Sequence, residues 1–489
     1  MKISFPAIPL ALCIATFSSA FAQPAFAQPA FAQETAPSST RLVAPKAGEV
    51  RREVLTNGLT LVTQTDRTSP RVAISFLIRA GAADETTETA GWRRLLAEAT
   101  LRATQNGATQ KLQTSLGRAR RAEELGGQIG ASVSDDAIEF WASGESQNAN
   151  ALLDLLWQTV RDARLSDADI EAARKTLTIR RQNLSDEVTT LATNALSAQL
   201  FQNEEKQPLA YSLPALGTDE SLQALSSSRL RDLRYQYFAL NRVVVGATGD
   251  LDEPNLRSRL ASLLWPTRKI TNQFIETPVF APRTTATSQS VTQTSLLPGN
   301  WVFVSFRLGA ASEEDAPAVA VLTASLGASP LSDLAQTLLS PMATSSTRSS
   351  PAPSARSLAP SPPPAAQQLS AAMTARRFGG DLTIFALSGS ANAEQLRAKI
   401  VAETKRLRDE TLSQEELGRA RRYAIGDWQT SGESGRDRAF RLASDAALGV
   451  WQPNASWTTR LQNVSALDVQ NAAQKYLQNE AVVTVRATN

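Results

Sequence analysis

The chain has 489 residues, of which 42% are hydrophobic and 20% are charged, with 50 basic and 47 acidic residues and a formal net charge of +3. It contains no histidine, and its one cysteine is Cys13. The composition is typical of a globular protein, excludes histidine-dependent catalytic triads and ordinary zinc sites, and gives no indication of a nucleic-acid partner.

The N-terminus has the features of a secretory signal peptide. Lys2 is followed by an apolar run over residues 3–17 and then by three Ala-Phe-Ala-Gln units. Small residues at this spacing are what the signal protease requires, so residues 1–32 are predicted to be removed. The candidate cleavage sites follow Ala22, Ala27 and Ala32.

A lipoprotein anchor at Cys13 is the alternative interpretation of this segment. Leu12 argues against it, because it stands where a small residue is wanted. The rest of the chain shows no apolar run long enough to span a bilayer. We therefore expect a periplasmic or secreted protein without disulfide bonds or a transmembrane segment, with residues 33–50 as an N-terminal linker.

The next part of the chain mixes strand and helix patterns. Asn57-Gly58 between two apolar runs predicts a hairpin of antiparallel strands. The spacing of leucines predicts one long helix over residues 150–160, and a second is predicted over 170–184. Between them and the hairpin, the basic cluster of Arg118, Arg120 and Arg121 precedes two glutamates and is interpreted as a solvated face.

Three patterns occur twice along the chain, in the same order. They are a strand with a polar loop, a capped helix start, and a helix followed by a valine-rich strand. The paired copies include Val72 and Val302, Ser166 and Ser413, and Tyr237 and Tyr476. In the capped pair, each serine is followed three residues later by an acid, which satisfies free amides at a helix start.

The duplication predicts an α+β fold with two tandem homologous domains, each a mixed, mainly antiparallel sheet with helices packed on one face. We place the domains at residues 51–268 and 298–489, with a linker over 269–297. The second domain carries an insertion over 340–368, rich in Ser, Pro and Ala, which is predicted to be disordered.

Several short motifs carry a resemblance to a known family. They are residues 55–62, the turn 80–85, Leu125-Gly126-Gly127, Leu216-Gly217-Thr218 and Gly249-Asp250. In order and spacing, residues 51–489 resemble the pitrilysin/insulinase-type zinc peptidases of the mitochondrial-processing-peptidase kind. The resemblance implies the metalloenzyme LuxS/processing-peptidase-like fold in both domains.

The resemblance also shows where the family's metal site should lie. Active members carry H-x-x-E-H on a helix, in which two histidines hold zinc and the glutamate activates water. With Gly91 as the anchor, Arg94 and Glu98 take the histidine positions and Ala97 takes that of the general base. We therefore predict a degenerate site without a metal, a cofactor or a catalytic residue.

The family's third ligand, a glutamate on a later helix, should fall near Ile179 or Arg180, where no acid stands. Glu171 precedes this position and Asp186 follows it, each by too many residues to replace the glutamate. On the first helix, two alternatives stay open for Arg94 and Glu98. The guanidinium fills the space of the lost metal and pairs with the carboxylate, or both charges are solvated.

Metal-free members of the family often grip substrate with an Arg and a Tyr from the second domain. Here Leu339 stands at the arginine position and Gln367 or Gln368 near the tyrosine position. The family's asparagine on the edge strand that pairs with substrate is replaced by Gly130. This replacement weakens a side-chain grip but leaves backbone pairing available.

Three functions are compatible with these sequence features. The first is a non-catalytic pseudo-peptidase that pairs with a homologous subunit carrying the intact zinc motif, or with itself. The second is a stand-alone peptide-binding or scaffold protein of the envelope, with extended peptides as ligands. The third, an active metalloendopeptidase, is disfavoured because the chain has no histidine, and no nucleophile with a placed base is found for another kind of hydrolase.

Overall fold

The computed structural model describes residues 48–105, 114–202, 209, 211–265, 289–297, 299–340, 364–389, 391–450 and 456–487, with only the backbone of Ser185, Asp186, Gln289 and Ser290. These residues belong to one compact unit that contains two β-sheets.

Sheet 1 lies in the first half of the chain. Its strands are β1 (Val50–Val54), β2 (Thr60–Thr65), β3 (Arg71–Ile78), β4 (Gln128–Val133), β5 (Ile138–Glu145) and β6 (Val243–Gly249). Their spatial order is β1-β2-β6-β3-β5-β4, and only β2 and β6 pair in parallel. The predicted hairpin is confirmed: β1 and β2 are antiparallel, and Gly58 supplies the positive φ of the turn.

Sheet 2 repeats this arrangement. Its strands are β7 (Gln289–Ser295), β8 (Asn300–Arg307), β9 (Ala366–Thr374), β10 (Asp381–Ser388) and β11 (Ala481–Ala487), in the order β7-β11-β8-β10-β9. Again one pair, β7 with β11, is parallel. Each strand from β2 onward thus has a counterpart with the same neighbours in sheet 2, which confirms the predicted fold of two similar halves with mixed, mainly antiparallel sheets.

The helices of the first half are α1 (Trp92–Arg102), α2 (Ser115–Glu124), α3 (Ala149–Arg161), α4 (Asp167–Gln182), α5 (Val188–Leu200), α6 (Asp219–Ala224), α7 (Ser227–Tyr237) and α8 (Glu253–Ala261). The two helices predicted over 150–160 and 170–184 are confirmed as α3 and α4. Most of the eight bury apolar side chains against one face of sheet 1, where Ile74, Phe76 and Phe140 lie. Burial of this apolar surface is the main favourable contribution to folding of this half.

The second half contains α9 (Ala316–Thr323), α10 (Asp333–Leu339), α11 (Ala393–Asp409), α12 (Gln414–Thr430), α13 (Gly435–Leu448), α14 (Trp457–Asn463) and α15 (Ala466–Tyr476). The segment Ala316–Leu339 is long and apolar enough to cross a membrane by length and composition. It is not one continuous helix, because Gly327 adopts a φ of +122° between α9 and α10, and 72% of its apolar window is buried. We therefore assign it to the core of the second half.

The two halves exchange helices. Helix α5 of the first half packs on sheet 2, where Ala192 and Leu196 contact the cluster around Phe303 and Val483. Helix α13 of the second half packs on sheet 1, on the face opposite to the one that the first half's own helices cover. Each sheet is therefore covered on one face by its own helices, as predicted, and on the other by a helix from the other half.

A glycine makes the approach of α13 possible. A Cβ atom on Gly246 in β6 would lie 2.0 Å from the carbonyl oxygen of Ala439. Two ion pairs fix the helix further: Arg438 contacts Asp66 at 2.7 Å, and Arg436 contacts Glu139 at 3.3 Å. Packing at this distance leaves no room for a larger side chain in β6.

Two predicted capping boxes are confirmed, at Ser166 with Asp169 and at Ser413 with Glu416. The interpretation of the basic cluster is wrong for Arg118, which is 1% exposed and donates a hydrogen bond to the carbonyl of Leu101 at 2.6 Å. A buried guanidinium is retained because backbone carbonyls accept its hydrogen bonds.

The predicted domain boundaries stay a prediction. Most of the linker 269–297 lies outside the described residues, and its last residues form β7. Residues 341–363 of the insertion also lie outside them. The end of the insertion is ordered, because Ala365 and Ala366 are fully buried and β9 begins there.

Candidate functional site

The candidate site lies on α1, where the family's metal motif was located. The helix begins after Gly91, which has a φ of +84° and passes so close to Gly217 that a Cβ atom would lie 2.8 Å from its backbone nitrogen. Trp92, Leu95 and Leu96 are fully buried, so the predicted core stripe of this helix is confirmed. This stripe fixes which side chains of α1 point away from the core.

Of the two alternatives left open for Arg94 and Glu98, the structure does not form the pair. Glu98 instead accepts a hydrogen bond from the Nε atom of Arg102 at 2.6 Å. The physical reason is the order of charges, since a glutamate that precedes a basic residue by four positions is the favourable arrangement on a helix. Ala97, which lies between Arg94 and Glu98 in the sequence, is buried and carries no functional group.

Arg94 is partly buried and has no hydrogen-bond partner among the described residues; its Nε atom is completely buried. Burial lowers the pKa of Arg94 to about 10, and repulsion by Arg93 and Arg180 adds to the effect. Asp135 and Glu85 act in the opposite direction. The alternative of two solvated charges therefore holds only in part for Arg94, because its side chain is partly exposed while its Nε atom is buried without a partner among the described residues.

Arg93 is a structural residue that the sequence did not single out. Its side chain is 2% exposed, and its Nε atom donates to Glu85 at 3.0 Å. A second nitrogen donates to the carbonyl of Ser134 in the turn between β4 and β5. Burial raises the pKa of Glu85, although Arg93 opposes that shift. The pair fixes α1 to the end of sheet 1. Glu85, in the turn 80–85, is the sequence feature that could have indicated a buried partner for an arginine on α1.

Helix α4 brings Arg180 to the site. Helices α1 and α4 pack directly against each other, and Arg180 is exposed on α4, where its positive charge contributes to the lowered pKa of Arg94. Ile179 is 47% exposed. Glu171 is paired with Arg174 on its own helix, and the side chain of Asp186 is not described. The position predicted for a third metal ligand thus presents a second cation.

These residues do not fit a zinc ion. Among the described residues, no three His, Cys, Asp or Glu side chains lie together in a way that could hold a metal. The three family positions supply a guanidinium, a methyl group and a carboxylate already engaged by Arg102. Zinc requires nitrogen or sulfur ligands, or free carboxylates, and a guanidinium cannot bind it.

Strand β4 is the edge of sheet 1 next to α1, and it contains Gly130. A Cβ atom on Gly130 would lie 2.6 Å from the ring of Trp141 on the neighbouring strand. The guanidinium of Arg436 also lies over that ring, 4.5 Å from the ring centre. Trp141 therefore explains why this strand has glycine where the family has asparagine, while the backbone of the edge stays available.

The turn after β4 contacts the second half. Arg376 is 3% exposed and donates to Asp135 at 2.5 Å, and it also pairs with Asp381. Beside it, Asp136 accepts hydrogen bonds from the hydroxyl of Tyr211 and from the backbone nitrogen of Arg377. Desolvation raises the pKa of Asp136. These contacts hold α1 and β4 in a fixed position relative to sheet 2.

The second-half positions carry no charge. Leu339 is the last residue of α10, and Gln367 and Gln368 are exposed at the start of β9. The structure thus brings Arg94 and Arg180 together. It assigns Glu98 to a local pair, and it offers no arginine or tyrosine at the second-half positions.

Comparison with known proteins identifies related sequences. Residues 60–212 match the model of the insulinase family, peptidase family M16. An uncharacterized zinc protease of Bacillus subtilis, YmxG, is 24% identical over 204 residues, which cover 42% of this chain and 47% of that protein. The mitochondrial-processing peptidase subunit beta of Neurospora crassa is 23% identical over 212 residues, 42% of each chain. The alignments thus span less than half the length of these relatives.

Solved structures share the fold over almost the whole chain. A protease from Helicobacter pylori has a TM-score of 0.74 at 16% identity and covers 90% of this chain and 100% of its own. A peptidase M16 inactive domain from Pseudomonas fluorescens has a TM-score of 0.73 at 14% identity, with 90% and 98% covered. These likenesses show that both halves have the architecture of M16-like peptidases.

Proposed function

We propose, from the peptidase M16 (insulinase) domain that this chain contains, that the protein is a non-catalytic member of the family. It acts as a partner subunit for a homologous zinc peptidase in peptide or protein processing. The observation that carries the proposal is α1 itself. The helix keeps its turn and buried face, while Arg94, Ala97 and Glu98 replace the groups that hold zinc and activate water.

The geometry of the three positions supports this proposal. A general base needs a proton acceptor within hydrogen-bond reach of its target, and Ala97 has none. The Glu98 carboxylate is held by Arg102. Arg94 cannot accept a proton near neutral pH, because its lowered pKa is still about 10. The chain offers binding surfaces at this site rather than a reaction centre.

The partner is proposed to be a homologous subunit with the intact zinc motif, or failing that a second copy of this chain. The relative from Neurospora crassa is named as a subunit of a processing peptidase. The periplasm or the exterior is the proposed location, on the evidence of the sequence pattern in residues 1–32.

A second candidate function is a stand-alone peptide-binding or scaffold protein of the envelope. Leu339, Gln367 and Gln368 favour it, because they lack the Arg and Tyr with which metal-free subunits of the family grip substrate. The outer edge of β4 has no partner strand within the described ranges, and an extended peptide can pair with it. An active metalloendopeptidase is the least supported alternative.

The test combines assembly with activity. The chain without residues 1–32 is purified alone and mixed with its closest genomic homologue, and light scattering is measured with hydrolysis of an unstructured peptide. We expect a complex that buries at least about 1,000 Å², and hydrolysis only when the homologue is present.

A matched control uses the homologue with its zinc-motif glutamate replaced by Gln, which should abolish hydrolysis without affecting assembly. A monomer in every mixture would move the conclusion to the scaffold function. Elemental analysis that finds about one zinc per chain after chelator treatment, together with hydrolysis by the chain alone, would refute both.

A further inference from the structure

Two arginines at the site have no hydrogen-bond acceptor among the residues that the structure describes. Arg94 on α1 is partly buried, Arg180 on α4 is exposed, and neither forms a hydrogen bond or ion pair within the described part of the chain. The two helices pack against each other, and the positive charge of Arg180 acts on Arg94. A guanidinium carries five donors and no acceptor. The buried Nε atom of Arg94 lacks an acceptor, and a second positive charge nearby is also unfavourable, so an anion that contacts both guanidinium groups would stabilise this arrangement.

The nearby carboxylates are already engaged. Glu85 is held by Arg93, and Asp135 is held by Arg376. They attract Arg94 from a distance but do not bond to it. Their negative charges also disfavour a doubly charged ligand such as a phosphate monoester. A singly charged, planar carboxylate is the anion that fits, because it pairs with a guanidinium through two parallel hydrogen bonds.

The neighbouring edge strand indicates what would carry the carboxylate. Strand β4 packs against α1, and its outer edge has no partner strand in the described structure. An extended peptide can add to such an edge through main-chain hydrogen bonds, and its alternate side chains then point to one face. A side chain on that face would be directed towards α1.

We propose that Arg94 and Arg180 form a pocket for the carboxylate of a Glu or Asp side chain in an extended peptide bound along β4. The inference rests on the proposed function in one respect: the site binds a peptide and does not cleave it. It gives that function a ligand class, acidic peptides, through residues that replace the metal site.

The test measures the affinity of short fluorescent peptides of about ten residues built from Ala, Ser and Thr with one central Glu or Gln. Fluorescence anisotropy is recorded with the chain lacking residues 1–32. We expect the Glu peptide to bind roughly tenfold more tightly than the Gln peptide, because a hydrogen bond to a charged group contributes about 1.5 kcal/mol or more.

Arg94→Gln and Arg180→Gln should each remove most of that difference and leave binding of the Gln peptide unchanged. Arg94→Lys keeps the charge without the planar fork and should give an intermediate loss. Arg181→Gln is the matched control: it changes the net charge equally, but its guanidinium is engaged by Asp219. Thermal unfolding of each variant verifies that the fold is retained.

Equal affinities for the two peptides, or an Arg181→Gln loss as large as that of Arg180→Gln, would overturn the inference, and so would a failure of both peptides to bind. Assembly with the homologue is measured on the same samples. If the complex with the homologue forms but the Glu and Gln peptides bind equally, the acidic-peptide pocket is refuted and the proposed function is retained. If the chain alone cleaves the peptide, the proposed non-catalytic function is refuted instead.

Discussion

The adjacent residues Arg93 and Arg94 should change stability in opposite directions when each is replaced by methionine. Arg93 is buried against Glu85 at 3.0 Å. The Arg93→Met variant leaves this buried carboxylate without its counter-charge. Breaking a buried ion pair in this way costs about 3 to 5 kcal/mol, so we expect a loss of that size in the free energy of unfolding.

The Arg94→Met variant should be more stable than the original chain. Burial lowers the pKa of Arg94 from 12.5 to about 10. One pKa unit corresponds to about 1.4 kcal/mol, so the charged form is penalised by at most roughly 3.5 kcal/mol. Since the side chain is only partly buried and solvent screens this penalty, we expect a gain of about 1 to 2 kcal/mol in the free energy of unfolding.

The pH dependence gives this prediction a second test. The folded-state pKa of Arg94 lies below its unfolded value, so the penalty is constant at every pH below the folded pKa and is relieved only as pH rises above about 10. The gain for Arg94→Met should therefore be equal at pH 6 and pH 8. Urea unfolding followed by circular dichroism measures it.

Arg102→Met is the control, because Arg102 forms an exposed pair with Glu98 on the same helix. It should change the free energy of unfolding by less than about 0.5 kcal/mol. Destabilisation of Arg94→Met by more than about 1 kcal/mol would refute the argument, since it would mean that the guanidinium makes favourable contacts in the folded chain.

Three further predictions concern the stability of the chain: two test the contact between α13 and sheet 1, and one tests the insertion in the second half. Gly246→Ala should destabilise the chain by about 1 to 3 kcal/mol in urea unfolding, because its Cβ would meet α13 at 2.0 Å; Gly426→Ala in α12, where nothing lies within 4 Å, should instead stabilise it by about 0.5 to 1 kcal/mol. Burial raises the pKa of Glu139, so its contribution to stability is fully present below pH 4.5 and is lost as pH rises through the folded pKa; Glu139→Gln should therefore gain stability relative to the original chain between pH 4.5 and 7.5, and an unchanged difference would contradict this. Replacing residues 341–363 by a short Gly-Ser linker should leave the melting temperature unchanged, whereas removing 340–368 should lower it, because that deletion takes away buried residues at the start of β9.

Local patterns in the sequence predicted local structure well. The Asn57-Gly58 turn, the capping boxes at Ser166 and Ser413, and the buried stripe of α1 depend on neighbours within a few residues, and all are confirmed. The repeated order of strands and helices predicted the two similar sheets, since sheet topology follows from the order of elements when each half is built alike.

Contacts between distant residues were not predictable in the same way. Arg93 and Arg94 look equivalent in the sequence, and only the position of the Glu85 turn decides which of them is paired. The amphipathic patterns of α5 and α13 show that each helix has a buried face but not which sheet it covers. Glu98 has two possible partners on α1, Arg94 and Arg102, and only the structure shows that it pairs with Arg102.

The exchange of α5 and α13 has a consequence for synthesis of the chain. Sheet 1 receives its last strand at β6, but one of its apolar faces stays uncovered until α13 has left the ribosome about 200 residues later, well after the first half is complete. During that interval, Val62, Leu77 and Val244 form an exposed apolar surface on the incomplete chain, and such a surface favours aggregation. The first half alone should therefore be insoluble when expressed without the second, and the two halves should be recovered together in soluble form when produced as separate polypeptides in one cell.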